Sequence, residues 1–492
     1  MSTISLDFVS DSAGHSAADV TVVGAVSTKD GPRLHAAPGF ESLEEVLTQL
    51  GVTGSPDSFA RVILPDAPST VVAVIGIGRE VTPETLRAAA GSAVRQLAGT
   101  ASVRLALGLS AHAEVVAVAE GAAIGAYSYT REKGLSEPKT AVESVTIVAP
   151  EPLSDDEAER ALETARAVHL VRDLGNTSAS ELTPEVFADA AVDAASELPI
   201  DVTVWDVPKL EAGGFGGILG VGRGSVHGPR LVKLEYAPDG ATSHIALVGK
   251  GITFDTGGLS LKPANGMMGM KYDMLGAATA LATITAAARI GIKTRMTAWL
   301  CLAENMPSGS ATRPGDVLKM YGGRTVEVTN TDAEGRLVMA DGLAVASEEQ
   351  PDLIVDVATL TGAAVIALGK RYTGVMGNDE RASDVVALAD SIGEKFWRMP
   401  LPSELRANLD SDVADLVNAN LSRREGGMLL AGHFLAEFVG TREGSDEQIS
   451  WVHLDIAGPG DNGSATYGYN GKGATGVTVR TLLALAEQQA GA

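Results

Sequence analysis

Short Val-rich runs alternate with longer mixed stretches through the first third of the chain. Val20–Val26, Val71–Ile77, Val103–Leu107 and Val145–Ala149 have the length and composition of strands. Pro83–Leu97 and Ala113–Ala126 read as helices, the first opened by Thr82 as N-cap with Pro83 in the first helical position. Ile75-Gly76-Ile77-Gly78 suggests a dinucleotide fingerprint but has Val81 where the third glycine belongs, so it reads as an ordinary turn. Ser154 and Glu157 form a capping box for a long charged helix that Gly175-Asn176 can stop, and Thr183-Pro184 starts another. Charge on most turns of the long helix suits a segment joining two domains. Beyond it come Ile245–Val248, Ala277–Ile290, Thr297–Leu302, Leu353–Ala358 and a final helix near Thr481–Gln489. The pattern divides the chain into an N-terminal α/β domain over 1–153, a linking helix over 154–178 and a larger α/β domain over 179–492. Ligands of open α/β sheets bind beyond the carboxyl ends of strands, so the Gly-rich loops there are where chemistry is expected.

Length agrees with more than one domain, since 492 residues exceed the roughly 100–200 of a typical one. Aromatic residues are only 4%, so the core must be built of Ala, Val, Leu and Ile. A net charge of −24 opposes nucleic acid and anionic membranes as partners, because either needs a dense basic face. The single cysteine, Cys301, lies in an apolar run and excludes internal disulfides and CxxC sites. Met1–Ser10 lacks the basic and apolar regions of a leader, and no run is long and apolar enough to span a bilayer. The expectation is a soluble, cytoplasmic protein.

Imidazole chemistry finds little support. No HExxH and no GxSxG between strand and helix occurs, and His433 and His453 lie among apolar residues as packed histidines would. Carboxylates are the alternative. Lys250 ends a strand pattern that starts at His244, Asp255 follows in a Gly-rich loop, Lys262 comes seven residues later, and Asp273 precedes the Ala-rich helix. Asp332, Glu334 and Arg336 follow the β-type run Thr325–Val328 and alternate by two, which in an extended strand end points them to one side. Four carboxylates gathered at strand ends cannot all stay ionised without compensation. Divalent cations such as Mg²⁺, Mn²⁺ or Zn²⁺ supply it. Singly, an Asp in a Gly-rich loop is usually a turn residue and a Lys after a strand is usually solvated.

Two long strings change that weighing: KGITFDTGGLSLKP from Lys250 and NTDAEGRL from Asn330. With Met270–Met274, Val357–Gly362 and His453–Gly458, they make the chain resemble the leucyl aminopeptidase (cytosol aminopeptidase) family of metallopeptidases, from about Asp173 to Thr481 and more weakly before. The resemblance implies a macrodomain-like N-terminal α/β domain and a C-terminal α/β catalytic domain with a mixed central sheet. It implies two divalent ions, Mn²⁺ or Zn²⁺ with Mg²⁺ a further candidate: Lys250, Asp255, Asp273 and Glu334 on one, and Asp255, Asp332 and Glu334 on the other. Lys262 and Arg336 match the catalytic pair, the arginine holding a bicarbonate as general base and the lysine polarising the scissile carbonyl. The Leu360 and Gly362 backbones match positions that align the peptide, and Met270, Thr359 and Ala457 match the pocket for its first side chain. A homohexamer is implied as well. The activity expected is removal of leucine-type and other apolar N-terminal residues from peptides. One departure stands out: Gly460 occupies a stretch where family members often carry larger apolar residues, which implies a roomier or more exposed first pocket. The same carboxylates would also suit two-metal phosphoester cleavage, but no P-loop accompanies them. A regulatory or DNA-binding role, which some family members have, is opposed by the charge.

Overall fold

Alternating β-branched runs and Ala-rich helical stretches build two α/β units. A computed structural model describes residues 4–10, 18–64, 67–422 and 425–491. One unit comprises Met1–His169 with Asn462–Lys472, and the other Leu170–Asp461 with Gly473–Ala492, so the division falls inside the helix Asp155–Asn176. No helix among the described residues is long and apolar enough to cross a membrane.

In the first unit a sheet runs Ser5–Val9, Ser144–Val148, Ser102–Leu105, Val20–Thr28, Ala67–Gly78, Phe59–Leu64, with Gly31–His35 also paired to Val20–Thr28. Pairing along the path is parallel until the antiparallel Phe59–Leu64. Thr82 caps Pro83–Gln96, its hydroxyl accepting the Thr85 N–H at 3.2 Å. Ile75–Gly78 is not a turn: it lies inside the strand Ala67–Gly78, where Ser55 and Ser58 press so close that a Cβ at Gly76 would have no room. Asn462–Lys472 is held by Asp57 and Arg95, whose side chains take the Gly468 N–H at 2.8 Å and its carbonyl at 3.0 Å.

The second unit is built on a mixed eight-stranded sheet, ordered Phe396–Arg398, Thr373–Gly377, Trp451–Asp455, Leu353–Ala358, His244–Asp255, Arg295–Asn305, Arg230–Tyr236, Asp201–Trp205. The four central strands, from Trp451–Asp455 to Arg295–Asn305, are mutually parallel, so their carboxyl ends share one edge. They are buried almost throughout, which requires cover on both faces. Leu275–Ile290 and Gly335–Ser347 both pack against them.

The strand at the centre outlasts its sequence signal. It runs on past Lys250 to Asp255, because Gly249 and Gly251 belong to the ladder and let the helix Leu275–Ile290 approach; a Cβ on Gly249 would lie 2.5 Å from Ala277 Cα. Gly276, on that helix, is as tightly placed, with a Cβ falling 2.0 Å from the Val357 carbonyl oxygen. Backbone cannot yield there as a side chain would. Gly276→Ala is expected to lower stability by about 1–3 kcal/mol, measured as a drop in urea midpoint at unchanged slope. A midpoint equal to the parent's would show that the helix shifts freely.

Candidate metal centre and substrate cavity

The parallel strand ends and the loops that leave them bring the acidic and basic residues together. Lys250 and Asp255 come from the central strand, Lys262 from the loop after it, and Asp273 from the turn before Leu275–Ile290. Asp332 and Glu334 come from the turn before Gly335–Ser347. Those last positions are not spaced along a strand end, as alternation by two suggested. The Asn330 side chain accepts the Asp332 N–H at 3.0 Å and closes a turn, Glu334 is the helix N-cap, and Arg336 lies in the first helical turn.

Lys250 is buried, its Nζ 2.7 Å from Asp273 Oδ1, 3.0 Å from Glu334 Oε1 and 3.0 Å from the Thr359 carbonyl oxygen. Gly335 leaves the room for it, since a Cβ there would lie 2.6 Å from Nζ. Lys262 reaches back to Asp255 Oδ2 at 2.8 Å and Asp332 Oδ1 at 2.5 Å. Asp255 Oδ1 accepts the Gly257 N–H and the Asn305 amide, each at 2.8 Å. Asp273 Oδ1 also accepts the Thr359 hydroxyl at 2.7 Å.

These groups perturb one another strongly. Burial, then the Glu334 charge, pushes the Asp255 carboxyl up to about 6 against the pull of Lys262 and Lys250. Burial drives Asp273 well above the carboxylate range although Lys250 opposes it. Burial raises Asp332 too, with Lys262 opposing. Burial alone would also raise Glu334, but Lys250 and Lys262 outweigh it and hold that carboxyl below its ordinary value. For Lys250 burial works against the charge, and Asp273, Glu334 and Asp255 together overcome it and lift its pKa.

The residues fit a cation. Carboxylate oxygens of Asp255, Asp273 and Glu334 lie within 4.8 Å of one another. Asp273 Oδ2 and Glu334 Oε2 are buried and make no hydrogen bond among the described residues. Buried carboxylate oxygens without donors are costly, and a hard cation is the partner that oxygen sets of this kind accept.

The cluster forms part of the wall of a cavity of about 410 Å³. Met270, Thr359, Leu360, Gly362 and Ala457 line the same cavity, beside Lys250, Asp255, Lys262, Asp273, Asp332 and Glu334. Arg336 is not among the lining residues. It is buried, its Nη1 donating to the Asn418 carbonyl at 2.8 Å, while its Nε has no acceptor among the described residues, and burial brings its pKa down to about 10. A larger hollow, about 560 Å³ around Glu348 and Arg442–Asp446, lies on the surface, and among the described residues its acids do not converge closely enough to hold a metal ion.

Gly460 is buried rather than exposed and does not line the cavity. A Cβ there would meet the Ile456 carbonyl oxygen at 2.8 Å, then Leu275 and Thr359. His453 and His433 behave as packed residues: His453 Nδ1 pairs with Asp356 at 2.5 Å and His433 Nε2 bonds the Pro402 carbonyl at 2.9 Å. Cys301 is fully buried, and burial raises its thiol pKa. Sequence reasoning passed over Asn305, which orients Asp255, and Lys370 and Asp461, which line the cavity. A polar residue ending the apolar run at Asn305 was the available signal; Lys370 and Asp461 gave none.

Nearly the whole chain is similar to known proteins. A family model described as the cytosol aminopeptidase family, catalytic domain, matches residues 169–483, and one for the N-terminal domain of that family matches 22–134. A probable cytosol aminopeptidase of Leifsonia xyli subsp. xyli is 54% identical, covering 96% of each chain. Another from Clavibacter michiganensis subsp. michiganensis is 52% identical over 98% of each. Among solved structures, the bottromycin maturation enzyme BotP in complex with Mn is 39% identical with TM-score 0.84, covering 96% of this chain and 100% of its own. A tomato leucine aminopeptidase mutant is 27% identical with TM-score 0.86, covering 99% and 96%.

Proposed function

Because this chain belongs to the cytosol aminopeptidase family and is a metallo-aminopeptidase, we propose that its strand-end carboxylates hold two divalent cations beside the cavity that receives a peptide N-terminus. The observation that carries this reading is three buried carboxylates converging at the cavity wall, two of them with unpartnered oxygens. Lys250, Asp255, Asp273 and Glu334 would hold one ion and Asp255, Asp332 and Glu334 the other, with Asp255 and Glu334 shared. A lysine can serve only as the neutral amine, so its proton must leave as the cation enters. Mn²⁺ is the first candidate, given the Mn complex of the BotP neighbour, followed by Zn²⁺ and Mg²⁺.

When bound, such ions supply Lewis-acid polarisation of a carbonyl and water activation at neutral pH. The chain's own residues do the rest. Lys262 places an ammonium at the cavity where negative charge develops on the scissile carbonyl. Arg336, with its unpartnered Nε, is the group that would hold a bicarbonate as general base. Met270, Thr359 and Ala457 wall the space for the first side chain, and Leu360 and Gly362 align the peptide backbone behind it. Leucine-type and other apolar first residues suit those walls. The family resemblance adds a homohexamer and a cytoplasmic location.

One purified sample tests the reading. About two equivalents of metal per chain are expected, with loss of activity on chelation and recovery with Mn²⁺. A leucyl amide should be cleaved and its N-acetyl derivative left intact. Full activity at one equivalent would defeat the two-ion assignment, and equal cleavage of the acetylated compound would defeat recognition of the free amine.

A further inference from the structure

Asp455 ends the strand Trp451–Asp455 and is fully buried. Its Oδ1 accepts the Leu360 N–H at 3.2 Å and the Ala457 N–H at 3.1 Å, while Oδ2 accepts the Thr361 hydroxyl at 2.7 Å. All three donors belong to residues that line the cavity. Leu360 and Thr361 follow the strand Leu353–Ala358, and Ala457 follows Asp455 itself. The two strands are parallel neighbours with Ala358 paired to Asp455, so their loops leave the sheet side by side. One carboxylate therefore ties both loops.

A buried carboxylate needs donors to offset its lost hydration, and an apolar side chain at the same place would need none. What the carboxylate adds is direction: three donors must converge on two oxygens, which fixes the Thr359–Gly362 segment against Ala457. We propose that Asp455 is a positioning residue for substrate recognition, setting the spacing between the two walls that grip the first side chain of the peptide. This rests on the reading of Met270, Thr359 and Ala457 as that pocket.

Asp455→Ala removes both acceptor oxygens and with them all three hydrogen bonds. Asp455→Asn restores them in part, since its carbonyl can take the two N–H groups and its amide can donate to the Thr361 hydroxyl. Rates on a leucyl and an alanyl amide decide the matter. For the alanine variant KM for the leucyl amide should rise and the leucyl-to-alanyl ratio of kcat/KM should change on the order of tenfold. The asparagine variant should return both close to parent values. A residue that merely supports folding would lower the active fraction, scaling both substrates by one factor at unchanged KM, and that result overturns the proposal. So does an alanine variant with parent kinetics. If Asp455→Ala yields no folded protein, Thr361→Val is judged by the same two readouts, with Thr361→Ser expected to match the parent. A shift confined to the valine variant supports the proposal, and parent values in it overturn it. Met270→Ala tests the pocket reading separately: selectivity unmoved there defeats the pocket and not the tie.

Discussion

Asp255→Ala is expected to strip metal from the chain and lower hydrolysis of a leucyl amide by at least about 1,000-fold, since lost Lewis-acid stabilisation is worth several kcal/mol at ~1.4 kcal/mol per decade. The position is demanding because two neutral donors, the Gly257 N–H and the Asn305 amide, fix one oxygen of Asp255. Those bonds aim Oδ1 and leave Oδ2 to Lys262, so the carboxylate is already oriented before any cation arrives. Under the assignment it touches both ions, and its loss removes a ligand from each. Elemental analysis showing both metals still bound would defeat that role. The same group sets a pH dependence. With its carboxyl pushed up to about 6, protons compete with the cation below that value, and metal affinity should fall as pH drops through about 6. Flat metal affinity between pH 5 and 7 would contradict the competition.

Lys262→Ala should behave in the opposite way toward metal. Its ammonium is bound to Asp255 and Asp332, two of the acids assigned to an ion, so removing it takes away a competing cation rather than a ligand. Metal content should be retained or raised, while kcat falls about 100- to 1,000-fold for want of positive charge at the developing oxyanion. The contrast with Lys250 is one of surroundings. The Lys262 side chain is 16% exposed against 3% for Lys250, which is closed in by Asp273, Glu334 and the Thr359 carbonyl. Full turnover in the Lys262 variant would remove it from the chemistry, and loss of metal would make it structural.

The catalytic unit was legible where chemistry dictates residue type. Long strings with Lys250, Asp255, Lys262, Asp332 and Glu334 cannot arise from packing demands alone, and the structure brings those five together with Asp273 on one cavity. Backbone course around them was less legible, because side chains redirect it. The Asn330 side chain turns the chain before Glu334, overriding an alternation that looked like a strand. The strand pattern from His244 stopped at Lys250, yet Gly249 and Gly251 mark a helix pressed against a strand that runs on to Asp255. Asp455 lay in the string His453–Gly458 without a role, since two of its three partners, the Leu360 N–H and the Thr361 hydroxyl, are roughly a hundred positions away, and no local pattern points that far.

Gly468 and Asp57 are 411 positions apart, yet they are bonded within the same unit. A chain emerging from the ribosome presents the first 169 residues long before Asn462–Lys472 exists. The first unit must wait with a gap in its structure while nearly all of the second is made. Assembly of the two is thus coupled in time, whatever their separate stabilities. Cutting the gene at the linking helix would not yield two self-sufficient halves: the first would lack its last segment, and the second would carry that segment with nothing to hold it.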